Sequence, residues 1–166
     1  TRAPFSAATA AAIIPAGLVC LDIGASTGGF TQVLLERGAA RVHAVDVGHG
    51  QLHQRLRDDP RVIAIEGLNA RLLTREHIPE PIDLLVCDIS FVSLAKVLAA
   101  PLALCGPKAQ AVILFKPQFE VGREHVGKGG IVTDEAATRA GLAAAIGFVA
   151  AQGFSHRLSI PSPISG

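Results

Sequence analysis

The sequence predicts an α/β fold, a mostly parallel sheet with helices on both faces. Short apolar runs alternate with helix-like segments along the whole chain. Those runs are apolar nearly throughout, as strands buried on both faces are. A third observation is the stretch CLDIGASTGGFTQ at 20–32, where an apolar run meets an acid, then three glycines, then a helical pattern. That is how the first strand–helix unit of an open parallel sheet opens its ligand loop.

Taken in order, LVCLDI (18–23) reads as a buried strand and GFTQVLLERG (29–38) as a helix ending at Gly38. RVHAVDV (41–47) is a second strand, and GQLHQRLRDDP (50–60) a helix closed by Pro60. RVIAIEG (61–67) and PIDLLVCDI (81–89) are the third and fourth strands. SLAKVLAAPLAL (93–104) is a helix with a kink expected at Pro101, and AQAVILF (109–115) a fifth strand. DEAATRAGLAAAIGFVAAQG (134–153) is a long helix capped by Thr133 or Asp134, with Glu135 at its positive end. FSHRLSI (154–160) reads as a sixth strand. KPQFEVGREHVGKGGIVT (116–133) is too long for a plain connection, which marks it as functional or mobile.

The 166 residues are 49% hydrophobic, enough for one domain with a sizeable core. A net charge of +1 gives no strong field, so a nucleic-acid partner would need basic surface from outside this chain. Cys20, Cys87 and Cys105 lie in apolar runs without a C-x-x-C, which points to buried thiols in a reducing compartment. His49 and His53 are four apart, as on one helix face, but no third ligand is placed to complete a metal site, and none is expected. The longest apolar runs, such as 140–151, are too short for a span, and no signal peptide opens the chain. The expectation is a cytoplasmic protein without a membrane partner, and a chain starting at Thr1 reads as a fragment.

Two chemistries compete for the glycine loop. GASTG (24–28) matches G-x-S-x-G, the nucleophile elbow, with Ser26 as nucleophile and Asp88 with His125 or His156 as later partners. Against it, only one strand fits before the elbow and no HGGG-like oxyanion segment precedes it. The nucleotide reading gains from Asp46, which ends the second strand and suits the two ribose hydroxyls of an adenosine. The spacing is G-x-x-x-G-G, not G-x-G-x-x-G, and there is no G-K-[ST], so pyrophosphate and triphosphate ligands fit poorly. An adenosine without pyrophosphate fits better. Asp22, just before the loop, suits an amino acid's ammonium, and S-adenosylmethionine carries both groups.

DIGASTGGFTQVLL, AVDVGHGQL, NAR, CDISFVSL, FKPQFEVGREHVGKGGIV and SPISG together resemble the TlyA hemolysin-like family of FtsJ-like ribosomal-RNA ribose 2′-O-methyltransferases. The resemblance covers about residues 17–166. It implies a Rossmann-like methyltransferase fold with strand order 3-2-1-4-5-7-6 and an antiparallel seventh strand. It implies S-adenosylmethionine as cofactor, held by Asp22, Gly24, Ser26, Gly28 and Gly29, with Asp46 on the ribose and Asn69 near the adenine. Asp88 and Lys116 fall where the family keeps a catalytic aspartate and its central catalytic lysine. Ribosomal RNA or a ribosomal subunit is the implied partner.

Two departures accompany the resemblance. The family's catalytic set is a Lys-Asp-Lys-Glu tetrad whose first lysine precedes the first strand, and TRAPFSAATAAAIIPAG has none. The final glutamate lies in the seventh strand, which, like the amino-terminal S4-like RNA-binding domain, the chain is expected to lack. Residues 1–166 are thus expected to form a single, truncated FtsJ-like methyltransferase domain. A cofactor- or RNA-binding module without turnover is the first alternative, and the family's hemolysin name suggests membrane lysis as another. Phe91 and Phe119 are expected to shape the cleft wall or to stack on a base. Glu120 is expected to bond Lys116 or to be solvated, and Arg71, Arg123 and Lys128 to meet RNA phosphates or simply to face solvent.

Overall fold

A computed structural model describes residues 12–162 of the chain. Five strands form one parallel sheet: β1 (Val19–Ile23), β2 (Arg41–Asp46), β3 (Val62–Glu66), β4 (Ile82–Cys87) and β5 (Cys105–Ile113), in the order β3-β2-β1-β4-β5. The order reverses direction between β1 and β4, so the ends of β1, β2 and β4 open a crevice at the switch point.

Alternation along the central strands sorts the core into two faces. Cys20, Leu84 and Val86 pack with Phe30 and Leu34 of helix α1 (Gly29–Glu36), while α2 (Gln54–Arg57) lies beyond the glycine loop. Leu21, Ile23, Leu85 and Cys87 face the other way, onto Leu98 and Leu102 around α3 (Ala99–Ala103) and onto Phe148 and Val149 of α5 (Glu135–Ala151). Helix α4 (Pro117–Glu120) follows β5 directly. Cys20 and Cys87 are buried and all three thiols are free.

Four expectations changed. The 50–60 helix shrinks to α2, because Gly48 and Gly50 sit in the preceding turn and His53 caps the helix, its Nδ1 accepting the Arg55 N–H at 3.3 Å. His49 and His53 therefore do not share a helix face. The 93–104 helix divides into a 3-10 turn over Leu94–Lys96 and the short α3, with Pro101 in the first turn of α3, where its missing N–H costs little. The fifth strand begins earlier, at Cys105, with a register shift between Ile82 and Leu84 of its partner. Pro107 is tolerated there because β5 is an edge strand among the described residues.

The sixth strand does not form: 154–160 carries no sheet pairing and is mostly exposed. In the order 3-2-1-4-5-7-6 a sixth strand pairs with the seventh rather than the fifth, so without that neighbour among the described residues it has no ladder to join. Helix α5 took its expected course. Its N-cap is Asp134, whose side chain accepts the Ala137 N–H at 2.9 Å. The 116–133 stretch holds α4 and two 3-10 turns rather than a long element.

Candidate active site

The glycine loop is built by the ends of three adjacent strands. The Gly24 N–H donates to Val45 O and the Asp88 N–H to Ile23 O, both at 2.9 Å, which clamps the start of the loop between β2 and β4. Gly24 has φ +79, and a Cβ there would run into the Asp88 carbonyl, so no other residue fits. At Gly28 a Cβ would strike the side-chain tips of Leu52 and Leu56. Gly29 is different: a Cβ there would meet nothing. The open space lies over the first turn of α1, which has no side-chain cap and no acid in its first turn. That is room for a ligand to approach main-chain N–H groups.

Asp46 holds the loop in place. Its Oδ2 accepts the Ser26 N–H and its Oδ1 the Gly48 N–H, each at 2.8 Å. A carboxylate oxygen accepts more than one hydrogen bond, so both remain able to take a ribose hydroxyl. Asn69 acts as a cap: its Oδ1 accepts the Arg71 N–H at 3.2 Å, and among the described residues no bond occupies its side-chain amide N–H groups. Val47 follows Asp46 and is 67% exposed, an apolar side chain left in solvent beside the crevice. Nothing in its sequence setting sets it apart from the strand before it.

Asp22 lies beneath the loop and is fully buried. The Thr31 hydroxyl donates to its Oδ2 at 2.7 Å, and its Oδ1 has no hydrogen-bond partner. Burial pushes its carboxyl up to about 7, and the nearby charges of Asp88 and Asp46 push the same way, against the bonds from the Thr31 hydroxyl and N–H. An unpartnered buried carboxylate oxygen suits a cationic ligand group. Thr31 escapes a sequence reading because it looks like an ordinary helix residue.

The second half of the site lies at the ends of β4 and β5. Lys116 Nζ stands 2.5 Å from Asp88 Oδ1, with both side chains partly exposed. The contact is a close charge pair without hydrogen-bond alignment, since Oδ1 has no aligned donor. Lys116 instead donates to Ser90 Oγ at 2.8 Å. Glu120 takes neither expected role: its Oε1 accepts the Leu94 N–H at 2.8 Å, and burial raises its carboxyl. Phe91 is 91% exposed in a left-handed conformation (φ 66), with its ring 5.2 Å from that of Phe119, so it lines the mouth rather than filling a core. Arg71, Arg123 and Lys128 are exposed and make no ion pair among the described residues.

The nucleophile-elbow alternative is not assembled. Asp88 is paired with Lys116, His125 contacts Asp134 at 3.0 Å, and His156 contacts Ser159 at 2.9 Å. No histidine among the described residues bonds Ser26.

A glycine loop at the switch point, an acid at the end of β2 and a lysine–aspartate pair at the ends of β4 and β5 form one candidate site on a Rossmann-like sheet. The chain belongs to the FtsJ-like methyltransferase family, whose model matches residues 6–166. It is 58% identical over 123 residues to a Mycobacterium tuberculosis protein named 16S/23S rRNA (cytidine-2'-O)-methyltransferase TlyA, a match covering 74% of this chain and 46% of that one. It is 43% identical over 149 residues to Hemolysin A of Brachyspira hyodysenteriae, covering 89% of this chain and 62% of that one. Among solved structures, a candidate hemolysin from Streptococcus thermophilus superposes with a TM-score of 0.93 at 36% identity, over 100% of this chain and 63% of its own. The chain thus spans less than two thirds of the length of each of these relatives.

Proposed function

We propose that this chain is the catalytic domain of an S-adenosylmethionine-dependent methyltransferase acting on the ribose 2′-hydroxyl of ribosomal RNA. The observation that carries the proposal is the Lys116–Asp88 pair, set beside the glycine loop at the ends of adjacent strands. The cofactor supplies a methyl group on a positively charged sulfur. Its ammonium suits the free oxygen of Asp22, its main-chain approach the open space over Gly29, and its ribose the two oxygens of Asp46. Gly24, Ser26 and Gly28 shape the loop around it, and Asn69 and Val47 flank the adenine side.

Transfer to a hydroxyl needs alignment and loss of the hydroxyl proton. The Lys116 ammonium would hold the 2′-oxygen and stabilise the negative charge that develops there, while the hydroxyl proton passes to solvent water and the sulfur is left as a neutral thioether. Asp88 pairs with that ammonium at the cleft. Phe91 offers an exposed ring at the mouth on which a base can stack, and Arg71, Arg123 and Lys128 can meet phosphates. The relative from Mycobacterium tuberculosis, named for rRNA 2′-O-methylation, supports the substrate class. A cytoplasmic location follows from that substrate. No helix among the described residues is long and apolar enough to cross a membrane.

Incubating the chain with ribosomal subunits and radiolabelled S-adenosylmethionine tests the proposal. Label should enter rRNA as a 2′-O-methyl group with the native chain and not with Lys116→Ala. A second reading, a cofactor-binding module without turnover, is favoured by the absence of any lysine in residues 1–17. Tight cofactor binding with no transfer by the native chain would select it.

A further inference from the structure

Three contacts fasten the segment after β4 to the segment after β5, apart from the Asp88–Lys116 pair. Lys116 Nζ donates to Ser90 Oγ at 2.8 Å, the Phe91 and Phe119 rings meet at 5.2 Å, and the Leu94 N–H donates to Glu120 Oε1 at 2.8 Å. They follow the same order along both segments, 90 with 116, 91 with 119 and 94 with 120. A left-handed backbone at an aromatic residue is strained and persists only where its surroundings impose it. Here φ at Phe91 is 66, immediately after Ser90. The strained turn lies at the step where the chain hands Ser90 to Lys116.

We propose that Ser90 is the positioning residue for the Lys116 ammonium, its hydroxyl oxygen giving the aligned acceptor that Asp88 does not. The two partners divide the task. Asp88 lies close enough to balance charge, yet its Oδ1 receives no aligned donor. The bond to Ser90 has direction, so it selects the rotamer that keeps Nζ at the cleft. The inference rests on the reading of Lys116 as the group that meets the substrate hydroxyl. Serine in this place is invisible as a functional residue in the sequence, where it looks like part of a turn after the catalytic aspartate.

The test uses the chain with carbon-13-labelled lysine, whose lysines are Lys96, Lys108, Lys116 and Lys128. An immobilised ammonium stem gives two distinct Hε resonances, whereas a free one gives a single averaged resonance. Lys116, assigned by its loss in Lys116→Ala, should show the split pair in the native chain. The split should collapse in Ser90→Ala and return in Ser90→Thr, which restores the hydroxyl. Affinity for S-adenosylhomocysteine, titrated on the same samples, should stay within about twofold, since the serine lies outside the cofactor loop. A split pair that survives in Ser90→Ala overturns the inference, as does collapse in both variants. Failure of the native chain to bind S-adenosylhomocysteine would instead count against the methyltransferase reading, leaving the lysine spectra to decide the role of Ser90 independently.

Discussion

Asp22→Asn should flatten the pH dependence of stability. The native carboxyl is fully buried, receives the Thr31 hydroxyl on one oxygen and nothing on the other, and is pushed from its ordinary 3.8 up to about 7, chiefly by burial. A raised carboxyl binds its proton more tightly folded than unfolded. Its contribution therefore favours the fold fully below the unfolded value of 3.8, is lost as pH climbs toward 7, and is constant above that. A shift of about three units corresponds to about 4 kcal/mol across the whole window. Between pH 5 and pH 8 the penalty grows by about 2–3 kcal/mol on the same relation. Asparagine keeps an acceptor for Thr31 and carries no charge to desolvate. The stability difference between variant and native chain should thus widen in the variant's favour by about 2–3 kcal/mol from pH 5 to pH 8. The chain has no Trp or Tyr, so urea unfolding is followed by far-ultraviolet circular dichroism at each pH. A difference that stays flat across that range would refute the reasoning, because it would mean that Asp22 is ionised at no cost.

The glycines separate fold from ligand. Gly24→Ala should lower stability by about 2–4 kcal/mol in the same urea assay, since the new methyl meets the Asp88 carbonyl at positive φ. Gly29→Ala meets nothing and begins a helix, so it should leave stability unchanged or raise it by about 0.5–1 kcal/mol. The same change should weaken S-adenosylhomocysteine binding at least about tenfold, about 1.4 kcal/mol, measured by calorimetry. Lys116→Ala should leave that affinity within about twofold while abolishing methyl transfer to rRNA, a loss of transition-state stabilisation alone. Asp46→Ala should weaken cofactor binding and also loosen the loop, because Ser26 and Gly48 lose their acceptor.

The sheet was legible because its signal is local. β1 to β4 fall within one or two residues of the apolar runs that announced them, and a strand buried on both faces has few other ways to look. Asp22 and Asp46 were singled out by position, at strand ends beside a glycine turn, and Asp88 and Lys116 by the family resemblance. What the sequence could not show depends on partners distant in the chain. The 154–160 segment has strand-like residues but no neighbour to pair with. The 50–60 segment has helical residues but glycines and a histidine cap that trim it to Gln54–Arg57. Glu120 looked like a partner for Lys116 and instead caps a turn 26 residues away. Ser90 meets Lys116 in a turn whose next residue, Phe91, is left-handed, which no propensity of phenylalanine foretells.

The glycine loop and its two carboxylates, Asp22 and Asp46, form the proposed cofactor site. Calorimetric titration of the chain with S-adenosylhomocysteine tests it most directly, with Gly29→Ala as the paired sample. Saturable one-to-one binding to the native chain, weakened at least about tenfold in a variant that melts no lower, is the predicted result. An absence of binding heat at millimolar ligand, or equal affinity in both proteins, would contradict it.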